Sequence, residues 1–534
     1  MKISVFWKNE FFLIVGVILI SIFIGFLPIL YHSLGTPSGK IYTMAFNFYP
    51  DYYQFLSWMK DGSEGQIALT SRFTPEIFPR KYGHTFFSIL GFTLGSLGFN
   101  PMVSFTFSRF IFGFIRLLLV YILIIKLVQG RWRRLISFLS VVLMSSFLRF
   151  NWTGDVTTSF GNFLWGITNF DVLRRIAFLP HHTASSILMI GFLFCAYKGI
   201  KDHEFKYSLI GSVLLFFSVL INPATLAGMI FILPLAFFLI FFQERKFFYL
   251  SSHFVLYLLP LVISVYYYRF YLFTVFPWDN FLRNDIATLR WPFWEYIMVL
   301  GPALPLAITV LVLTWRKRQG ILYYFIVGWA FGPVIGVFAS QFIPEISMFR
   351  LLQLSQFIPL SILGSMGIFI VYDNLRKKFI TILLTMFLVV LFILNCYLSL
   401  KTQFEETNAF NLFSHIPVDT LSLFTYLDNN TPPESVVLAG YSSGIMLPSF
   451  AHNRVLVGHG DATFNYNEKL DIMTKFYSNT FSSDELVDII RKYKIKYIYF
   501  GPDTPRPWET SVDKLPNKKV IYNSGLNVLY EVLD

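Results

Sequence analysis

Eleven apolar stretches of about 16 to 27 residues recur along this chain, near 11–30, 101–127, 134–150, 182–198, 207–222, 224–243, 248–270, 294–315, 321–340, 351–372 and 379–399. A hydrocarbon core about 30 Å thick takes roughly 20 residues of α-helix to cross. Lipid offers no partner to an open backbone, so stretches of this length and number read as a polytopic α-helical membrane protein. Composition agrees, since 55% of the 534 residues are apolar and only 14% charged, against about 25% charged in an ordinary soluble domain. Phe, Tyr and Trp number 63, 29 and 11, more ring surface than the remaining polar groups could cover, which argues against a soluble enzyme. Disorder fails on the same hydrophobicity. The two cysteines, Cys195 and Cys396, lie within apolar stretches and supply no disulfide scaffold.

The net charge of +12 divides into +16 over residues 1–400 and −4 over 401–534. The basic excess sits between apolar stretches, a distribution that orients a chain in a membrane and gives no reason to expect nucleic acid as a partner. With the N-terminus in the cytoplasm and the chain in a plasma (inner) membrane, the inner segments collect seventeen Lys and Arg, from Lys2 and Lys8 through the Arg131–Arg134 turn to Arg376–Lys378, against five acids. Residues 84–98, HTFFSILGFTLGSLG, would span only about 22 Å and would put the Arg131–Arg134 turn outside, so they read as an interfacial or re-entrant helix. The first stretch is longer than a signal-peptide core and lacks a small-residue cleavage site, so it reads as a retained anchor.

Eleven crossings place residues 401–534 outside. Composition changes there: SVVLA at 435–439, RVLVG at 454–458, YIYFG at 497–501 and VIYN at 520–523 read as strands, and DELVDIIRKY from 484 reads as a helix. The expected organisation is a transmembrane domain over 1–400, with long outer loops at 31–100 and 150–181, and a small extracytoplasmic α/β domain over 401–534. The ten acids of residues 1–400 that are not in inner segments all map to the outer side or its margins, so the chemistry is expected there.

In the first outer loop, Pro50 and Asp51 can open a helix whose Tyr52, Phe55, Leu56 and Met59 fall at helical spacing, a surface helix with an acid at its start. The helix dipole alone would favour that acid. Arg109 and Arg116 lie seven residues apart on one helix face and need a partner or water inside a membrane, as an ion pair or as ligand contacts. In the second outer loop, Asp155, Asp171, Arg174, Arg175, His181 and His182 are the candidates for chemistry. The adjacent histidines do not share a face of a regular helix and have no ligand at zinc spacing, so they read as capping, packing or substrate hydrogen-bonding residues. GYSSG at 440–444 fits a nucleophile elbow around Ser442, with His452 and His459 downstream, on a region short for a hydrolase. Asn151-Trp152-Thr153 matches a glycosylation triplet hard against a span and reads as accidental.

A first span, a long outer loop with an acid before an amphipathic helix, a short apolar helix ending at Gly98, an arginine in the next span at Arg109 and a basic turn at Arg131–Arg134 together resemble the GT-C superfamily. These are multi-span glycosyltransferases that use polyprenyl-phosphate sugars, such as protein O-mannosyltransferases and lipid A aminoarabinose transferases. The resemblance covers the layout of residues 1–400 and is sharpest over 45–134. It implies that Asp51 is catalytic and that Arg350, at the start of a span, binds the lipid phosphate. Beside these, Asp155 is the reserve for the catalytic acid, and Arg72, Arg80 and Lys81 are expected as helpers at the phosphate. Several members carry a second acid beside the first, whereas Tyr52 and Tyr53 follow Asp51 here; a divalent metal is left open and not indicated.

The function expected on these grounds is inverting transfer of a sugar from a polyprenyl-phosphate carrier to an extracytoplasmic glycan, lipid or protein acceptor, with membrane lipids around the chain. A transporter or flippase of envelope precursors is the rival, since intramembrane arginines and many spans suit it too, although no internal repeat is evident. A noncatalytic envelope scaffold is the third reading.

Overall fold

The computed structural model describes residues 5–46, 48–150, 156–158, 169–244, 247–287, 291–314, 319–375, 378–409 and 411–533. They form two compact units, each assembled from three stretches of chain. One takes Met1–Pro28, Phe107–Tyr267 and Asp285–Glu405; the other takes Ile29–Thr106, Tyr268–Asn284 and Glu406–Asp534. The change expected near residue 401 thus falls beside the Glu405–Glu406 division, and the unit that follows also contains most of the first outer loop and a segment near 270. In chain order the first elements are α1 (Val5–Leu34), β1 (Lys40–Tyr42), α2 (Tyr49–Ser63), α3 (Thr85–Gly95), α4 (Pro101–Leu127), α5 (Arg131–Leu143) and the antiparallel pair β2 (Leu148–Phe150) and β3 (Val156–Thr158).

Among the described residues, seven helices are long and apolar enough to cross a membrane: Glu10–Leu34, Pro101–Leu127, Pro180–Lys201, Ala224–Glu244, Phe248–Thr274, Ile321–Ser340 and Ile382–Glu405. The stretch expected as one span over 294–315 is broken into Phe293–Leu300 and Ala303–Thr314, bent by 84°. The break is built into Gly301, which sits at φ +62 and where a Cβ would lie 2.1 Å from the Ser145 carbonyl oxygen, and Pro302 follows it. The stretch expected over 134–150 is helical only to Leu143 and then enters β2, because its last residues pair with β3. The remaining two expected spans fall on the helices Phe205–Ile221 and Phe357–Leu375. The helical stretches make this an integral membrane protein.

The second unit is α/β. β1 pairs antiparallel with β4 (His415–Pro417), setting Ile41 opposite Ile416. A five-stranded sheet has the order β6–β5–β7–β9–β8, from β5 (Val436–Leu438), β6 (Arg454–Val455), β7 (Ile495–Phe500), β8 (Lys518–Ser524) and β9 (Asn527–Val532). β5 runs parallel to β6 and β7, and β9 antiparallel to β7 and β8. Helices Tyr466–Tyr477 and Ser483–Tyr493 cover it, burying Phe476, Leu486 and Ile490 with Leu438, Leu456 and Ile498. The second of these helices starts with a capping box between Ser482 and Glu485, which satisfies two of its free amides.

Residues 84–98 form α3, eleven residues long, which lies against α2. The approach is at glycine distance. A Cβ on Gly62 would come within 1.9 Å of the Ser88 carbonyl oxygen, and one on Gly91 within 2.0 Å of that of Met59. Only glycine lets the two backbones meet so closely, and Gly91 and Gly95 of GFTLGSLG are explained by that packing. We therefore expect Gly91→Ala to separate α2 from α3, costing at least about 1–3 kcal/mol as overpacking, read as a lowered Tm of the purified protein in detergent. Gly16→Ala, which has open space around its Cβ, should leave the Tm unchanged.

Candidate active site

The second unit gathers the titratable residues of the first outer loop around α2. Pro50 occupies its first turn, as the sequence predicts, and Asp51 follows there with its side chain about half exposed (47%). Asp51 Oδ1 lies 2.8 Å from Nε2 of His459, which is 4% exposed. The Asp461 backbone N–H donates to Nδ1 of the same ring at 3.1 Å. A ring nitrogen that accepts carries no hydrogen, so Nε2 carries it and donates to the Asp51 carboxylate. Phe73 and Phe281 flank the imidazole, each about 6.2 Å away between ring centres. Asp461 is held in turn by Asn280, whose side-chain amide donates to its carbonyl at 2.8 Å, and by Asn284, which donates to its carboxylate at 2.6 Å.

Arg72, expected as a helper at the phosphate, is engaged within the fold. Its guanidinium is buried, pairs with Asp61 at 2.9 Å and donates to the Ser57 and Ala451 carbonyls. Burial pushes the Asp61 carboxyl up, with Arg72 opposing it. A charge in an apolar loop segment is more cheaply satisfied by an internal acid than by a mobile ligand, and the sequence reading missed Asp61 as that acid. Arg80 is exposed, 3.7 Å from Glu434, and the Lys81 ammonium sits 4.1 Å over the Tyr271 ring.

The GYSSG motif does not assemble as a nucleophile elbow. Helix Tyr441–Met446 does follow β5, but the hydroxyl engaged there is that of Ser443, which donates to Asp503 at 2.6 Å. Both proposed bases are committed elsewhere, His459 to Asp51 and His452 to Asp428 and Glu64. His452, Asp428, Glu64 and Lys60 form one charged cluster, with Nδ1 of His452 2.6 Å from Asp428 and Lys60 Nζ 2.9 Å from the same carboxylate. The bonds to Asp428 and then Glu64 push the imidazole up. Burial raises Asp428, yet its bonds to His452 and Lys60 outweigh it and hold that carboxyl down to about 2.

In the first unit, Arg109 is buried and donates from Nε to the Ala177 carbonyl at 2.9 Å. Arg116 donates to the carbonyls of Arg175 and Ile176, and Arg175 to those of Val142 and Met144. Arg109 and Arg116 thus satisfy the backbone of the segment before helix Pro180–Lys201, and the Arg116 and Arg175 guanidiniums both lie against the Phe357 ring. Asp171 caps that segment, accepting from the Leu173 and Arg174 amides and from the Ser399 hydroxyl. His181 and His182 open the helix, buried with ring centres 4.3 Å apart. Arg350 lies half-buried on the short helix Met348–Leu352, 3.3 Å from Gln353 Oε1. Asp155 and Asn151 lie outside the described residues. Among the described residues, no three His, Cys, Asp or Glu gather as they would around a metal ion.

His459, Asp461, Asn280 and Asn284 were not legible as a group. The signals present were the turn HGD at 459–461 and two asparagines four residues apart in WDNFLRND, hence on one face of a helix.

The sequence matches no protein-family model and no curated protein. Solved structures match its fold. The apo oligosaccharyltransferase of Archaeoglobus fulgidus aligns over 93% of this chain and 70% of its own, with a TM-score of 0.54 at 13% identity. ArnT from Cupriavidus metallidurans bound to undecaprenyl phosphate aligns over 98% of both chains, at 0.50 and 9%. The mycobacterial arabinofuranosyltransferase AftD aligns over 98% of this chain and 41% of its own, at 0.51 and 12%.

The charged cluster around His452 has a definite pH dependence. A raised imidazole stabilises the fold below its unfolded value, near 6.5, and that contribution is lost as pH rises through the folded value. A depressed carboxylate does the reverse, stabilising above about 3.9 and losing its contribution as pH falls toward 2. We expect the cluster to contribute most between about pH 4 and 6.5. Melting curves of the wild type and His452→Gln should differ most in that window and converge on the alkaline side. A difference that stays constant from pH 5 to 9 would show that His452 acts only through packing.

Proposed function

We propose that this chain, which has the fold of the GT-C membrane glycosyltransferases, is an inverting glycosyltransferase. It takes a sugar from a polyprenyl-phosphate carrier and places it on an extracytoplasmic acceptor, with an inner N-terminus and residues 401–534 outside. The observation that carries this reading is Asp51, a half-exposed carboxylate at the start of α2, held through one oxygen by a buried imidazole. Solved neighbours supply the carrier class. One holds undecaprenyl phosphate, and an Archaeoglobus fulgidus relative of the same fold was solved with a dolichol-phosphate and an inhibitory peptide. The arginines that suited a transporter, Arg109 and Arg116, donate to backbone carbonyls, which gives one of the two features favouring that rival a structural reason.

In the reaction, an acceptor hydroxyl attacks the anomeric carbon from the face opposite the phosphate. The new C–O bond forms as the old one to phosphate breaks, and the phosphate leaves as a stabilised anion. The hydroxyl proton passes to Asp51, the general base. Arg350 binds the carrier phosphate, since a guanidinium stays charged and can meet two phosphate oxygens at once.

Asp51→Asn keeps the shape and loses the lone pair that takes the proton. With a labelled polyprenyl-phosphate sugar in proteoliposomes, turnover should fall at least about 100-fold while the protein inserts normally; wild-type turnover would remove Asp51 from the chemistry. Binding of undecaprenyl phosphate is expected to weaken about 10- to 100-fold in Arg350→Ala, the loss of a charged hydrogen-bonded contact. Arg350→Lys should recover part of it. Unchanged affinity in both variants would place the phosphate elsewhere.

A further inference from the structure

We infer that His459 is a positioning residue for Asp51, fixed in a single tautomer by a hydrogen-bonded chain that runs through Asp461 to Asn280 and Asn284. The inference rests on the role of Asp51 proposed above and adds a residue from a stretch of sequence about 400 positions away. Four observations carry it. The imidazole is buried while the carboxylate it touches is half exposed, so the ring is the fixed member of the pair. Its Nδ1 accepts from the Asp461 amide, which leaves the hydrogen on Nε2, facing Asp51 at 2.8 Å. Phe73 and Phe281 both pack against the ring, each with its centre about 6.2 Å away. Asn280 and Asn284, one helical turn apart, each hold a different atom of Asp461 and so fix the turn that presents the amide.

The chemical consequence is directional. Oδ1 of Asp51 accepts the imidazole N–H, so Oδ2 is the oxygen that faces the acceptor hydroxyl and receives its proton. The imidazole does not take that proton onward, because Nε2 already carries one and Nδ1 is occupied by the Asp461 amide. His459 therefore sets the angle of the base without acting as a relay. A misplacement of about 1 Å at such a group costs up to about 100-fold in rate.

Two amide side chains of different reach separate positioning from mere packing. In His459→Gln the side-chain nitrogen falls near the place of Nε2 and still donates to Asp51; in His459→Asn it falls near Nδ1 and does not. We expect kcat to drop about 10- to 100-fold in His459→Asn and to stay within about 3-fold of the wild type in His459→Gln. The KM for the polyprenyl-phosphate sugar should not move in either. On an Asp51→Asn background neither substitution should lower the residual rate further. Equal losses in the two variants, each matched by a lowered Tm, would show a structural role and overturn the inference, as would wild-type kcat in both. Activity retained in Asp51→Asn alone overturns the reading of Asp51. If His459→Asn still lowers the rate on that active background, His459 acts through another group and the inference falls separately.

Discussion

A buried guanidinium holds the second unit together. Arg72 comes from the first outer loop, its carboxylate partner Asp61 from the end of α2, and one of its carbonyl acceptors, Ala451, from the C-terminal stretch. Two further cations reach the other way. Arg454 donates to the carbonyls of Ser71 and Glu76, and Lys469 pairs with the Glu76 carboxylate at 2.5 Å. Burial lowers the proton affinity of both cations, with an acid beside each opposing it. Such pairs add little net stability against an apolar alternative, but removing one member strands the other, at about 3–5 kcal/mol. What they supply is uniqueness: residues 71–76 have one place to lie, between cations from distant parts of the chain.

That frame also fixes the helix that carries Asp51. α2 carries the acid in its first turn and Asp61 in its last, about 15 Å along the helix at 1.5 Å per residue. Its far end is fixed by Arg72 and by the glycine-spaced approach of α3, and its near end by the imidazole of His459. A carboxylate at a frayed helix start would sample many orientations. Here both ends of the helix are anchored, and the carboxylate stays about half exposed.

The spans were legible because lipid is an unforgiving solvent: a helix that meets it must be apolar along about 20 residues, and that pattern is local in sequence. The strands over 435–439 and 497–501 were legible for the analogous reason of a buried sheet. What escaped was anything decided by a partner far along the chain. The helix over 134–143 ends early because its continuation pairs with residues 156–158, and the 294–315 stretch bends where Gly301 meets Ser145. β9 follows a turn at Gly525, whose positive φ admits the reversal, in a segment with little alternation to mark it. Arg72 looked like a phosphate ligand because its charge is visible in sequence and its ion pair is not. Asp51 could be singled out from its helix start, and His459 could be seen only as a histidine.

The chain separation of the pairs in the second unit has a consequence for biosynthesis. Arg72 donates to a carbonyl 379 residues further on. At about 5–20 residues per second, a ribosome delivers that partner roughly 20 to 75 s after Arg72 itself. Through that interval strand β1 has been made but is unpaired, and Arg72 lacks its Ala451 acceptor, while the intervening helices are still being synthesised. A nascent chain of this design waits, and any factor that shields residues 40–81 during the wait would act before the second unit can close.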